Sequence, residues 1–147
     1  MSLFDTLMAD MKLAMKARDA QALAAIRGTI AKVKDLTVNA GKEVTDEVVV
    51  AVVQKGIKQR EESIAQFTAA GRAELAANEQ AELEQLKKYL PEQLSEAKVA
   101  EIVQAAVAEL GAAGKKDMGR VMKAVMASVQ GQADGKLVSR LVAAALG

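Results

Sequence analysis

Residues 45–94 read TDEVVVAVVQKGIKQREESIAQFTAAGRAELAANEQAELEQLKKYLPEQL, and this stretch decides the fold. Its valine run, residues 48–53, has the β-branched composition of a buried strand. A helix is favoured instead, because Thr45 and the two acids after it are typical of a helix start and strong helix formers follow. In addition, the sequence offers no second strand to pair with. We predict a helix through Ala70, about 40 Å long at roughly 1.5 Å per residue, with Gly71 as its C-cap.

A second helix begins almost at once after Gly71 and ends before Pro91, the only proline in the chain. Its apolar stripe consists of Leu75, Leu83, Leu86 and Leu90. So short a link between two long helices predicts an antiparallel hairpin. In that register Arg60 lies about level with Glu79 and Glu82, which predicts a partly buried ion pair. The alternative is an arginine whose stem covers the core while its guanidinium stays in water.

The residues before this hairpin supply two further amphipathic helices. Ser2 and Asp19 are suitable N-caps, and apolar residues recur behind each at the spacing of a helix face. The first helix is expected to reach about Arg18, and the second to stop at Asn-Ala-Gly, residues 39–41. Residues 1–91 are therefore predicted to form an N-terminal helical domain.

Three shorter helices follow the boundary at residues 90–94. Their predicted N-caps are Ser95, Asp117 and Asp134, and Gly111 ends the first of them. Each helix carries one apolar stripe, and three such stripes can enclose a small shared core. Residues 95–147 are therefore predicted to form a C-terminal three-helix bundle, and the whole chain is predicted to be all-α.

Composition disfavours several classes of function. The 147 residues include no cysteine and no histidine, which removes disulfides, thiolate metal sites and the commonest acid–base catalyst near neutral pH. No nucleotide loop, activated serine or paired carboxylate is recognisable. We therefore expect no catalytic residues, no metal and no cofactor, and a standalone enzyme is disfavoured. Without a membrane-spanning run or a signal peptide, the expected location is the cytoplasm, with no membrane partner.

Charge is distributed unevenly although the formal net charge is only +1. From residue 111 onward the basic residues are Lys115, Lys116, Arg120, Lys123, Lys136 and Arg140, against Asp117 and Asp134. Arg120 and Lys123 are three residues apart, and Lys136 and Arg140 four apart, so each pair shares a face opposite its apolar stripe. Two such ridges beside a helix N-terminus suit a phosphate backbone. They also suit a merely solvated surface, in which Asp134 caps its helix and repels anions.

Two long gapped patterns carry a resemblance that covers essentially the whole chain. The first runs from KQREESI at residues 58–64 through Phe67 and residues 70–72 to YLPEQL at residues 89–94. The second joins KDMGRVM at residues 116–122 to GQADGKLV at residues 131–138. The sequence resembles the YqeY-like family (GatB/YqeY), which implies an all-helical fold. Its C-terminal part is similar to the tail domain of the B subunit of glutamine-dependent aspartyl/glutamyl-tRNA amidotransferase, and that resemblance implies engagement of tRNA.

The resemblance implies binding rather than catalysis, because nothing in the chain resembles the activating or amidase portions of that enzyme. The family is associated with carbon–nitrogen ligase activity that uses glutamine as amido-N-donor. The resemblance implies that this activity belongs to the amidotransferase complex and not to this chain alone. The positions that match the tail pattern are Gly119, Met122, Lys123, Gly131, Ala133, Asp134, Val138 and Leu141. Among them only Lys123 is suited to contact phosphate. Arg120, Lys136 and Arg140 are added as candidate phosphate contacts because of their helical spacing, not because they match the tail pattern.

These observations lead to a hypothesis and a rival. The hypothesis is a non-catalytic tRNA-binding or tRNA-amidotransferase-related protein, with tRNA and a tRNA-charging or amidotransferase enzyme as its partners. Its nucleic-acid-binding residues would be Lys123, Arg120, Lys136 and Arg140. The rival is a helical protein–protein interaction adaptor that presents the hairpin of residues 45–90 to another protein.

Overall fold

The computed structural model describes residues 2–147, which form seven α-helices, two 3-10 turns and no strand. They pack as two compact units: the N-terminal unit, which ends at Leu90, and the C-terminal unit, Pro91–Gly147. The N-terminal unit contains α1 (Leu3–Ala17), α2 (Ala20–Leu36), α3 (Asp46–Ala69) and α4 (Ala73–Lys87). The C-terminal unit contains α5 (Glu96–Leu110), α6 (Met118–Val129) and α7 (Gly135–Leu146). The predicted all-α fold is confirmed, and none of the described helices is long and apolar enough to cross a bilayer.

The valine run forms the first two turns of α3, as predicted. Thr45 caps the helix, because its hydroxyl oxygen accepts a hydrogen bond from the Val48 amide at 3.2 Å. Val49, Val52 and Val53 are buried on one side of the helix. The last helical residue is Ala69, and Gly71 follows in the left-handed conformation with φ at 71°. Burial of one face thus outweighs the strand preference of β-branched residues.

The first two helices also start at their predicted caps. The Ser2 hydroxyl accepts from the Asp5 amide, and the Asp19 carboxylate accepts from the Ala22 amide, each at 3.1 Å. Helix α2 ends at Leu36, slightly earlier than expected. A 3-10 turn, Val38–Ala40, then leads to Gly41, whose φ of 71° turns the chain away.

Helices α3 and α4 form the predicted hairpin, and two contacts define its register. A methyl group added at Gly56 would lie 3.1 Å from Leu86 Cδ1, so the two helices approach closely at that level. Arg60 Nη2 lies 3.9 Å from Glu82 Oε1, and the two side chains are only 19% and 20% exposed. The partly buried ion pair is therefore confirmed, with Glu82 as the partner. Arg60 Nη1 also donates to the Gly56 carbonyl oxygen at 3.2 Å.

The tip of the hairpin extends beyond the core of the N-terminal unit. The buried residues of α3 end at Ile57, and those of α4 are Leu83 and Leu86 in its C-terminal half. Leu75, which the apolar stripe places in the core, is instead 38% exposed. The spacing of apolar residues identifies the apolar face of α4. It does not show how far along the helix this face is covered by other parts of the protein.

Tyr89, just after α4, connects that end of the hairpin to α1. Its ring is 4% exposed, and its hydroxyl donates to Asp10 Oδ2 at 2.6 Å. Burial raises the pKa of Tyr89 well above its ordinary value of 10.0, and the hydrogen bond and negative charge of Asp10 raise it further.

In the C-terminal unit, each of the three helices packs on the other two. The fully buried side chains are almost all valines: Val99, Val103, Val121, Val125, Val129, Val138 and Val142. The Ser95 hydroxyl accepts from the Lys98 amide at 3.1 Å, and Gly111 ends α5 with φ at 61°. Met118, Met122 and Met126 are half-buried along the edge of this core. Small β-branched side chains therefore fill a core that three short helices enclose.

Leu86→Ala should lower the free energy of unfolding of the N-terminal unit by about 2–5 kcal/mol, because it leaves a cavity at the closest approach of α3 and α4. Leu75→Ala, in the same helix but exposed, is the matched control and should cost less than about 1 kcal/mol. Urea denaturation followed by circular dichroism measures both. Equal losses in the two variants would contradict the packing described here.

Tyr89 is the only tyrosine, so its ionisation can be followed by tyrosinate absorbance without interference. We expect no tyrosinate as pH rises through 10.0 while the protein stays folded. Because the folded-state pKa is raised, the contribution of Tyr89 to stability is complete below the ordinary pKa and declines as pH rises above it. Asp10→Ala should lower the pKa of Tyr89, whereas titration near pH 10.0 in the unaltered protein would contradict the buried hydrogen bond.

Candidate nucleic-acid interface

Arg120 and Lys123 lie on the exposed side of α6. Val121, Val125 and Val129 fill the opposite side and are fully buried, which turns the two cationic side chains toward solvent. The predicted orientation of this pair, opposite the apolar stripe of α6, is confirmed. Arg120 nevertheless has a partner: its Nη2 lies 3.1 Å from Asp117 Oδ1.

The prediction that the Asp117 side chain caps α6 is wrong. Asp117 stands at the N-cap position, but its φ of −91° and ψ of 0° are not the extended conformation of a side-chain cap. The reason is the 3-10 turn Lys115–Asp117, which runs directly into α6. The carboxylate turns back instead and accepts from the Ala113 amide at 3.1 Å while pairing with Arg120.

This arrangement lowers the pKa of Asp117. The largest cause is the hydrogen bond from the Ala113 amide, followed by partial desolvation, which opposes it, and by the hydrogen bond and charge of Arg120. The charge of Lys116 lowers the pKa further. The ionised Asp117 carboxylate thus connects the loop before α6 to Arg120.

Lys136 and Arg140 both lie exposed on α7. Arg140 Nη2 is 2.7 Å from Glu96 Oε1, at the start of α5, so its guanidinium is directed toward α5. Asp134 caps α7 as predicted, accepting from the Lys136 amide at 2.9 Å. Its carboxylate occupies the helix N-terminus that an anion would otherwise use.

The structure thus places all four predicted residues on the surface but gives each arginine a carboxylate partner. Arg120 and Asp117 are three residues apart, a spacing that could have revealed their pairing. The Arg140–Glu96 pair spans 44 residues and depends on the packing of α7 against α5, so no local pattern indicates it. The Arg140–Glu96 pair is exposed on both sides and contributes about 0–1 kcal/mol, whereas the Asp117 side chain in the other pair is only 17% exposed.

Charge in the C-terminal unit is separated between its helices. Helix α5 carries Glu96, Glu101 and Glu109 against Lys98. Residues 111–129, the loop and α6, carry Lys115, Lys116, Arg120 and Lys123 against Asp117. Lys115 and Lys116 are exposed on the 3-10 turn and were not among the predicted site residues. Helix α7 adds Lys136 and Arg140, so the basic side chains of this unit lie on the turn, on α6 and on α7, and the turn with α6 carries most of them.

The N-terminal unit contains an open groove of about 380 Å³ between α1, α2 and the end of α4. Asp10 and Asp19 line it, but both carboxylates accept hydrogen bonds, Asp10 from Tyr89 and Asp19 from the Ala22 amide. These contacts connect α4 to α1 and cap α2. Within residues 2–147 no group of three or more aspartates and glutamates is placed to hold a metal ion.

The fold and the site together define an all-helical protein whose small C-terminal unit presents a basic surface. The sequence model of the Yqey-like protein family matches residues 4–146, nearly the whole chain. The chain therefore belongs to the Yqey-like family. No curated protein matches its sequence.

The Asp117 carboxyl should titrate below its ordinary pKa of 3.8, as measured by NMR from its side-chain carbon and from the Ala113 amide. Because the folded-state pKa is depressed, the contribution of Asp117 to stability is complete above the ordinary value and is lost as pH falls through the folded value. In Arg120→Gln the pKa should rise only in part, because the Ala113 hydrogen bond, its largest cause, remains. A midpoint at or above 3.8 in the unaltered protein would show that the turned-back carboxylate is not formed.

Proposed function

We propose that this protein is a non-catalytic tRNA-binding protein related to the tRNA amidotransferases, and that its C-terminal unit contacts the RNA. The observation that carries the proposal is the set of four exposed cationic side chains on α6 and α7 (Arg120, Lys123, Lys136 and Arg140). These helices belong to the part of the sequence that resembles the tail domain of the amidotransferase B subunit. Lys123 is the position at which the resemblance and the exposed surface agree.

The chemistry of the C-terminal unit suits phosphate contacts better than base recognition. Residues 91–147 contain no aromatic side chain, so bases have nothing on which to stack. Arginine and lysine contacts to phosphates release counterions, which makes affinity fall steeply with salt. Discrimination between RNAs would then depend on the shape of the folded backbone.

The proposal assigns no bond-making step to this chain. The carboxylates of the N-terminal groove are engaged in structural hydrogen bonds, and the resemblance covers a binding appendage. A tRNA-charging or amidotransferase enzyme is therefore proposed as the second partner. The carbon–nitrogen ligase activity associated with the family would belong to that enzyme.

The adaptor hypothesis requires an apolar patch along the α3–α4 hairpin. Of the large apolar side chains that are exposed in residues 2–147, only Leu75 lies on the hairpin. The others, Leu13, Met15, Leu36 and Val38, lie on α1, on α2 and just after it. A single leucine is ordinary for a solvated surface, so we favour RNA as the partner.

The test is a titration of tRNA against the full chain at about 50 mM and about 200 mM salt. Replacing Arg120, Lys123, Lys136 and Arg140 together by alanine should weaken binding and flatten the salt dependence by roughly 0.7–0.9 in log–log slope per lost contact. The matched control replaces Lys12, Arg27, Lys32 and Arg72, which are exposed in the N-terminal unit and carry the same total charge. The control should bind like the unaltered protein.

Two outcomes would contradict the proposal. One is the absence of tRNA binding by the unaltered protein at the lower salt concentration. The other is an equal loss of affinity in the two fourfold variants, which would mean that only net charge matters and that α6 and α7 have no specific part.

A further inference from the structure

We infer that RNA phosphates are contacted chiefly by Lys115 and Lys116 on the 3-10 turn before α6, together with Lys123, and that Asp117 is the positioning residue for this surface. The inference rests on the proposed function and deepens it. We call the turn Lys115–Asp117 the lysine turn. The sequence places its two lysines within the basic segment, but its local geometry is visible only in the structure.

Three hydrogen bonds stabilise the lysine turn. The Asp117 amide donates to the Gly114 carbonyl oxygen at 3.0 Å, and the Met118 amide donates to that of Lys115. The Asp117 carboxylate accepts from the Ala113 amide at 3.1 Å. A turn that is ordered before binding loses less conformational entropy when a partner arrives than a loose loop does.

The two lysines are also more available than the arginines. Within residues 2–147, neither Lys115 nor Lys116 forms an ion pair with a carboxylate, although the charge of Lys116 lowers the pKa of Asp117. Arg120 must separate from Asp117, and Arg140 from Glu96, before either meets a phosphate with its whole guanidinium. Lys123 is exposed on α6, the helix that follows the turn directly.

The charge separation within the C-terminal unit favours the same surface. Helix α5 carries three glutamates and one lysine, and Arg140 is directed toward it. The loop and α6 carry four cations and one carboxylate. A polyanion is therefore attracted to the lysine turn and α6 and repelled by α5.

An RNA fits this surface better than an anionic membrane does. Every large apolar side chain that is exposed in residues 2–147 belongs to the N-terminal unit, and the methionines of α6 are half-buried against its core, so the basic surface offers little to insert into a bilayer. Its cations are spaced along one turn and one helix, as suits a chain of phosphates.

The first experiment repeats the tRNA titration with Lys115→Ala/Lys116→Ala. We expect about a tenfold or greater loss of affinity at low salt and a salt slope reduced by roughly 1.4–1.8, the value for two phosphate contacts. Lys12→Ala/Lys16→Ala, on exposed positions of α1, is the control of equal charge and should stay within about twofold of the unaltered protein.

The second experiment separates positioning from charge at Asp117. Loss of a negative charge beside phosphates should by itself strengthen binding in both Asp117→Asn and Asp117→Ala. If Asp117 positions the turn, Asp117→Ala should bind tRNA more weakly than the unaltered protein. Asp117→Asn keeps an oxygen that can accept from the Ala113 amide, so it should restore or exceed the original affinity.

The outcomes distinguish this inference from the proposed function. If the fourfold alanine variant of α6 and α7 loses tRNA binding while Lys115→Ala/Lys116→Ala keeps full affinity and slope, this inference is overturned and the proposed function stands. Tighter binding by both Asp117 variants would overturn the positioning role. Absence of tRNA binding by the unaltered protein, or binding only to vesicles of anionic lipid, would overturn both.

Discussion

The close approach of α3 and α4 at Gly56 and Leu86 is the constraint on which the N-terminal unit depends. Glycine at this point lets the leucine side chain lie against the helix backbone, and the same register brings Arg60 beside Glu82. Both pairs are symmetric about Gly71, which reverses the chain. With α4 so placed, α2 packs against both helices of the hairpin, and Tyr89 reaches Asp10 on α1. Gly56 and Gly71 therefore set the register of the hairpin against which α2 packs.

The C-terminal unit is organised by a different balance. Its valine core is small. Hydrogen bonds at the helix ends and in the loop between α5 and α6 therefore add to what packing alone supplies. Asp117 serves that loop twice, as the acceptor for the Ala113 amide and as the partner of Arg120. A carboxylate in a basic segment is costly for binding an anion, but in the role proposed for Asp117 it also orders the residues that carry the positive charge. Under the proposed function, local order and attraction for phosphate would be linked through this one side chain.

The sequence predicts features that arise within one helix or one tight hairpin. The caps at Thr45, Ser95 and Asp134 and the helical state of the valine run follow from short-range chemistry, and the Arg60–Glu82 pair follows from symmetry about the turn. What could not be predicted depends on other parts of the chain. The exposure of Leu75 reflects where α3 and α4 leave the core, and the pairing of Arg140 with Glu96 reflects how α7 packs on α5. Asp117 has the right residue type for a cap, but the preceding 3-10 turn sets its backbone angles.

The charges of the C-terminal unit are separated in space, so the unit has an electric dipole although its net charge is close to zero. Residues 91–147 hold seven cationic and six acidic side chains: three of the acids lie on α5, four of the cations on the loop and α6, and two more cations on α7. For the proposed RNA partner, this separation of charge would favour approach from the α6 side of the unit. Such an encounter would be oriented rather than random, and its rate would depend on ionic strength even though the isoelectric point indicates little attraction.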